Sequence, residues 1–347
     1  MAKILRNIDQ IIDTQGNELS VANPVEMPAP VLSFRNKIIN GDMRISQRGD
    51  FSTDGTHGFT ANDYTVDRWR LNSDGAGTDY IQHVSDNQPD GLYNTKSLKM
   101  TVKSTDTKYR RICQGIEDYK QFVEGRVMTI SFYYKAQNVS GQLKVGQWIN
   151  NNSTSFYNKI ADLPSTNTWV KKEITFTVHK TSANFTYHPD INFGFCDDGG
   201  ASVAGVIDDY VEVTGVQLEE GPVATPFEHR PYGLELSLCQ RYFEKSYNNT
   251  VAPGSATYEG AVVFIANRNP GLPHYALRFI TQKRTAPAVT IYNPNDGTSN
   301  EIRNVDDNLD ISPVVSRLGD VGATIYSHTS TALGKFLAFH YTADAEL

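Results

Sequence analysis

The stretch RVMTISFYYKA, residues 126–136, decides the fold class. Val127, Thr129, Ser131 and Tyr133 fall on one parity; Met128, Ile130, Phe132 and Tyr134 fall on the other. A period of two places alternate side chains on opposite faces of a strand, so the second set predicts a face turned to a core. The β-branched and aromatic content fits a pleated, half-buried surface.

Working outward, the same texture recurs at TKSLKMTVK (95–103), GQLKVGQWIN (141–150), WVKKEITFTV (169–178) and NFGF (192–195). In 169–178, Ile174, Phe176 and Val178 share a face. Clusters of Gly, Asn, Asp and Ser separate these runs, and no helical pattern alternates with them. Short strands at close spacing without intervening helices predict an antiparallel jelly-roll sandwich over residues 31–230. Trp69, in VDRWRL (66–71), reads as core.

Before that region, Ile4, Ile8, Ile11 and Ile12 share a helical face, and Gly16-Asn17 is a turn signal, so a short helix and a small hairpin are both open. Pro24, Pro28 and Pro30 favour an extended connector. Residues 1–30 therefore read as an arm that needs a partner surface. After the sandwich, Pro231 suits a first helical turn and GLELSLCQRYFEK (233–245) has no breaker, which predicts a linking helix within 231–248. Leu234, Leu238 and Tyr242 stack at i, i+4 and i+8, with Leu236, Cys239 and Phe243 beside them; this apolar face is expected to pack on a domain or a sister subunit. Strand texture resumes at 257–267, 275–280, 288–293 and 335–344, predicting a smaller C-terminal β-sandwich over 249–347. The chain is thus expected to be all-β apart from one helix.

Composition narrows the function. Thirty-nine acidic against 32 basic residues give a formal charge of −7, which offers no electrostatic drive toward nucleic acid or anionic membrane. The densest basic spot, Arg110-Arg111 beside Lys108, reads as a solvated strand edge. Three distant cysteines, Cys113, Cys196 and Cys239, suggest neither a disulfide framework nor a zinc site and are expected to be buried thiols. No run approaches the roughly 18 apolar residues of a membrane span, and no apolar signal core opens the chain.

No phosphate loop, dinucleotide fingerprint, zinc-protease motif or nucleophile elbow is present, so no catalytic residue, cofactor or metal is assigned. The acidic neighbours Asp197-Asp198, Asp208-Asp209 and Asp306-Asp307 would point to opposite faces of a strand, so adjacency does not make a glycosidase pair. Asp197-Asp198-Gly199-Gly200 is either an acidic turn or a calcium loop. Trp148, followed by the polar loop holding Asn151 and Asn152 and closed by Tyr157, is the candidate glycan-binding group, because an aromatic platform beside amides suits a sugar ring; the competing reading is that Trp148 is core.

Three stretches carry a resemblance. NKIINGDMRISQRG (36–49) followed by TVDRW (65–69), VTGVQLEEG (213–221) followed by TPFEHRP (225–231) and then CQRYF (239–243), and FHYTADAEL (339–347) together resemble bacteriophage tail-fibre and appendage proteins whose jelly-roll domain is similar to carbohydrate-binding modules. The resemblance implies a virion location after assembly in the host cytoplasm, trimeric assembly, a binding role and no enzymatic activity. On this reading the arm docks on other virion proteins, and the exposed part is a candidate for binding host surface polysaccharide. A capsid decoration or cement protein is the alternative, a capsule depolymerase a further one, and a secreted sugar-binding module a third. The residues under these motifs read as structural: Gly41 and Gly49 permit turns, and Val216 and Leu218 face one side of a half-buried strand while Gln217 and Glu219 face the other.

Overall fold

The alternating stretch lies in an eleven-residue strand, Val127–Gln137, in which Met128, Ile130, Phe132, Tyr134 and Ala136 are wholly buried. The computed structural model describes residues 34–52, 58–59, 63–73, 79–84, 88–93, 95–103, 110–117, 123, 125–137, 141–147, 156–163, 166–178, 190–195, 208–266, 273–329, 331 and 333–347. The arm expected at 1–30 lies outside the described residues, and Arg35–Leu347 forms one unit.

In chain order the strands are β1 (Gly58–Phe59), β2 (Asp63–Tyr64), β3 (Arg70–Ser73), β4 (Asp79–Val84), β5 (Ser97–Thr101), β6 (Arg110–Gly115), β7 (Val127–Gln137), β8 (Gly141–Gln147), β9 (Phe156–Leu163), β10 (Thr166–Thr177), β11 (Asp190–Phe195) and β12 (Tyr210–Glu220). They form two antiparallel six-stranded sheets, β1-β4-β5-β12-β7-β10 and β2-β3-β6-β11-β8-β9. Their inner faces share one core, in which Leu98, Met100, Ile130, Phe132, Val213 and Val216 of the first sheet meet Leu71 and Ile112 of the second. This is the expected jelly-roll sandwich. Trp69 is fully buried in it, donating its indole N–H to the Asn40 carbonyl at 2.9 Å.

Two expectations need correction. Arg110-Arg111 is not at a sheet edge, because β6 is flanked by β3 and β11. Strand β12 is not half-buried: Gln217 and Glu219 are as inaccessible as Val216 and Leu218. The exit segment folds back over them, with the Gln217 amide donating to Thr225 Oγ1 at 3.1 Å and Glu219 accepting the Thr225 N–H at 2.8 Å. The strand also carries a bulge, marked by a register shift between Thr214 and Gln217. Gly215 takes φ +60° there, and the Asn36 side chain bonds Val216 O at 3.1 Å and the Leu218 N–H at 3.0 Å.

Beyond the sandwich come α1 (Tyr232–Gln240), β13 (Phe243–Lys245), β14 (Val262–Ile265), β15 (His274–Arg278), β16 (Ala288–Tyr292), β17 (Ile302–Asn304), β18 (Leu309–Ile311), β19 (Val314–Ser316), β20 (Gly322–Tyr326) and β21 (Phe336–Asp344). One sheet is built around β21, which pairs with β13, β14, β16 and β17; β15, β20 and β19 form a second. A second core, including Phe264, Leu277, Ile291, Ile325 and Phe339, lies between them. The helix ends at Gln240, short of the expected 231–248. Phe243–Lys245 instead completes a ladder with Thr342–Asp344, so tertiary pairing overrides local helix preference. No described helix is long and apolar enough to cross a membrane.

Candidate functional site

The outer face of the first sheet gathers the most chemistry. Register aligns Gln82 of β4, Lys99 of β5, Glu212 of β12 and Lys135 of β7 in one row. The Glu212 carboxylate accepts from Ser97 Oγ at 2.6 Å and pairs with Lys135 Nζ at 3.0 Å. It is only 2% exposed, although it faces outward; flanking lysine stems cover such a group while their ammonium heads stay wet. Trp169 of β10 and Tyr210 of β12, both half-buried, complete the patch. Lys135 Nζ lies 5.5 Å from the Trp169 ring and 5.7 Å from the Tyr210 ring, and Lys99 Nζ lies 4.8 Å from the latter.

Local sequence explains the placement of Trp169. It has opposite parity to Ile174 and Phe176, which sit in the core, and a register irregularity between Thr166 and Val170 adjoins it. Two aromatic faces beside a fixed carboxylate and two ammonium groups can stack a sugar ring and orient its hydroxyls. Sequence reading passed over Trp169, yet the alternation that assigned Ile174, Phe176 and Val178 to one side already put it on the other.

The expected platform is placed differently. Trp148, Asn151 and Asn152 lie outside the described residues. Tyr157 is in β9, the outermost strand of the second sheet, with its backbone opposite Gly146 of β8. The Asp197–Gly200 loop and Cys196 also lie outside the described residues, whereas Cys113 and Cys239 are buried free thiols. Of the helical stripe, Leu234 is exposed, Leu238 is half-buried, and Tyr242 is buried in the turn after the helix. The side of α1 that is buried carries Glu235, Cys239 and Gln240. Glu235 pairs with Arg230 at 3.2 Å and also accepts the Asn40 N–H.

The motif residues meet at a polar joint. The turn Val66-Asp67-Arg68-Trp69, closed by the Trp69 N–H on Val66 O at 2.9 Å, holds Arg68 at φ +70°. Arg68 pairs with Glu346, donates to Gly115 O at 2.7 Å and lies over the Tyr242 ring at 3.5 Å. Arg48 pairs with Asp344 at 2.9 Å and Glu346 at 3.2 Å, over the Phe243 ring at 3.8 Å. Gln47 bridges the Asp67 carboxylate at 2.6 Å and Phe243 O at 2.9 Å. Burial pushes the Asp67 carboxyl up against these hydrogen bonds. The three resembling stretches, far apart in sequence, therefore converge on one set of contacts. Nearby, burial lowers His83 to about 4 and raises Asp42 to about 6.

Two further groupings resemble reactive sites. Ser246 Oγ lies 2.8 Å from His340 Nδ1, and His340 Nε2 lies 2.9 Å from Thr257 O. His340 is fully buried and stacked on Tyr247 at 3.7 Å, while Ser246 Oγ also accepts the Tyr341 N–H at 3.0 Å. Both polar groups are thus spent on holding the fold. Among the described residues, Asp296, Glu301 and Asp310 bring carboxylate oxygens within 4.8 Å of one another. Arg303 already bonds Asp310 at 3.0 Å, and Asn293 donates to Asp310 at 2.9 Å and Glu301 at 3.2 Å.

No family model matches the chain, and no curated protein matches it. Similar solved structures include the enzymatically active domain of bacteriophage CBA120 tailspike protein 4, at 17% identity and a TM-score of 0.35, covering 54% of this chain and 22% of that one. A xylan-binding module from Paenibacillus barcinonensis is 14% identical with a TM-score of 0.30, covering 52% of this chain and 94% of its own. The family 11 carbohydrate-binding module of a Clostridium thermocellum cellulase is 13% identical with a TM-score of 0.31, covering 49% and 99%. At these scores the likenesses carry no functional argument, and the jelly-roll assignment rests on strand order and burial.

Proposed function

We propose that the chain is a structural bacteriophage virion protein, a tail fibre or appendage, that acts by binding rather than catalysis. Its jelly roll holds host surface polysaccharide on the outer face of the first sheet. The observation that carries the binding reading is the pairing of half-buried Trp169 and Tyr210 around the Glu212–Lys135 ion pair. The virion reading is supported by the motif set at 36–49, 65–69, 213–231, 239–243 and 339–347, and it makes the arm at 1–30 the docking element of a trimer. Single sites of this open kind bind weakly, and repetition of the chain on a particle multiplies them into useful avidity.

Affinity electrophoresis of the full chain through gels containing purified host capsular or lipopolysaccharide tests the binding. Retardation that is lost in Trp169→Ala and in Tyr210→Ala is expected; unretarded wild-type chain overturns it. Quantitative mass spectrometry of purified particles tests the location. About 3 to 40 copies, in multiples of three, fit a fibre whose avidity comes from repetition. One copy per few capsid subunits means decoration instead, and absence from the particle overturns the virion reading.

A further inference from the structure

A cleft of about 500 Å³ opens where Arg48, Phe51 and Tyr64 of the jelly roll face β16 and β21. Tyr64, Phe243 and Tyr292 supply aromatic walls, and Arg48, Thr290 and Asp344 supply polar ones. Neither Trp169 nor Tyr210 belongs to it. We propose that this cleft is a second saccharide site, one that takes an uncharged pyranose.

The volume lies within the usual range for small-ligand sites, roughly 300–1,000 Å³. Its walls are pre-set: Arg48 is fixed by its ion pairs to Asp344 at 2.9 Å and Glu346 at 3.2 Å and by the Phe243 ring beneath it. Tyr64 is fixed by its hydroxyl, which donates to Leu347 O at 2.9 Å. A site whose walls are already ordered loses little entropy on binding.

The chemistry of the walls selects the ligand. An anion would approach Asp344 while the Arg48 guanidinium is committed to two carboxylates. A cation would compete with Arg48 for those same carboxylates. A purely apolar ligand would strip water from Asp344 and Thr290 and return no hydrogen bond, which is costly. A neutral ring with several hydroxyls satisfies both kinds of wall: its C–H face lies on aromatic rings, and its hydroxyls serve the carboxylate and the threonine. The register supports the same reading, since Ala288 opposite Asp344 is too small to fill the space above the carboxylate.

The test is saturation-transfer NMR on the full chain with methyl β-D-glucopyranoside, methyl β-D-galactopyranoside and methyl β-D-glucuronide as probes. Four proteins are compared: wild type, Trp169→Ala, and Trp169→Ala combined with either Tyr292→Ala or Thr290→Val. Thr290→Val keeps a β-branched residue in the strand, so it preserves the fold even if Tyr292→Ala does not. At least one neutral glycoside is expected to take up saturation in wild type and in Trp169→Ala, and to bind at least about tenfold more weakly in both cleft variants. The proposal is overturned if no neutral glycoside binds wild type, if Trp169→Ala prefers the glucuronide, or if Trp169→Ala by itself loses the signal. That last result would leave the sheet face standing as the sole saccharide site of the three-probe set.

Discussion

The guanidinium of Arg68 lies 3.5 Å from the centroid of the Tyr242 ring, joining the turn that opens the jelly roll to the segment that leaves it. Both residues are buried, and the same guanidinium pairs with Glu346. Removing one member of a buried ion pair leaves the other charged without compensation, which costs about 3–5 kcal/mol. Arg68→Ala and Glu346→Gln should each lower the unfolding free energy obtained from urea melts by an amount in that range. The double variant Arg68→Met with Glu346→Leu should recover a large share. If the single variants unfold at the wild-type midpoint, the joint is not holding the fold.

Stability should respond to pH through two buried groups of opposite sign. His83 is lowered from 6.5 to about 4 by burial, with Lys96 adding to the effect. The unfolded chain therefore takes up the proton first, and stability falls as pH drops from 6.5 toward 4, by about 3 kcal/mol. Asp42 is raised from 3.8 to about 6, chiefly by burial. The folded chain binds that proton more readily, so its contribution is complete below pH 3.8 and is lost as pH rises through about 6, again by about 3 kcal/mol. The two nearly cancel between pH 4 and 6. Asp42→Asn should uncover the acid sensitivity of His83, and His83→Gln should make the protein more stable as pH falls over that interval. Thermal melts across the range decide it; parallel profiles for both variants would refute the pairing.

Gly41 and Gly49 lie in the same motif but should differ sharply in tolerance. A Cβ on Gly41 would stand 2.1 Å from Val216 O, a backbone atom that also belongs to the β12 bulge. At Gly49 the nearest atom is Phe51 Cζ, at 3.4 Å. Gly41→Ala should cost about 2 kcal/mol or more, because backbone must move. Gly49→Ala should fall within about 0.5 kcal/mol of wild type. Guanidinium melts of the two variants measure the contrast, and equal midpoints would contradict it.

The Ser246–His340 contact should prove structural. Ser246→Ala leaves the buried His340 Nδ1 without its partner and should cost about 1–3 kcal/mol. Size-exclusion profiles of host polysaccharide incubated with wild type or Ser246→Ala should be identical and show no shortening. Shortening by wild type alone would make this pair catalytic and reverse the binding-only reading.

Much of the fold could be read locally. The parity of Met128, Ile130, Phe132 and Tyr134 carried the first sheet, and Phe339 to Ala343 likewise announced β21. What escaped depends on contacts between distant segments. Phe243 reads as helical until Asp344 is beside it. Gln217 reads as solvated until Thr225 folds over it. The joint is the extreme case: nothing in the spacing around Arg48 or Arg68 announces carboxylates near residue 345. The outer-face site was half legible, since parity placed Trp169 outside, but its neighbours Tyr210 and Lys135 come from strands aligned only by register.

Strand β21 lies in the middle of its sheet, with β13 and β14 along one edge and β16 and β17 along the other. It also follows its four partner strands in the chain. Its partners, beginning at Phe243, must wait for it through the synthesis of up to some hundred residues, and the guanidinium groups of Arg48 and Arg68 wait longer still for Glu346. Closure of this region is therefore dominated by non-local pairing, which is slow. A nonsense lesion at any codon before 336 would delete the keystone rather than trim an edge, and a frameshift at β21 would expose the facing sides of β13, β14, β16 and β17 together to chaperones and proteases.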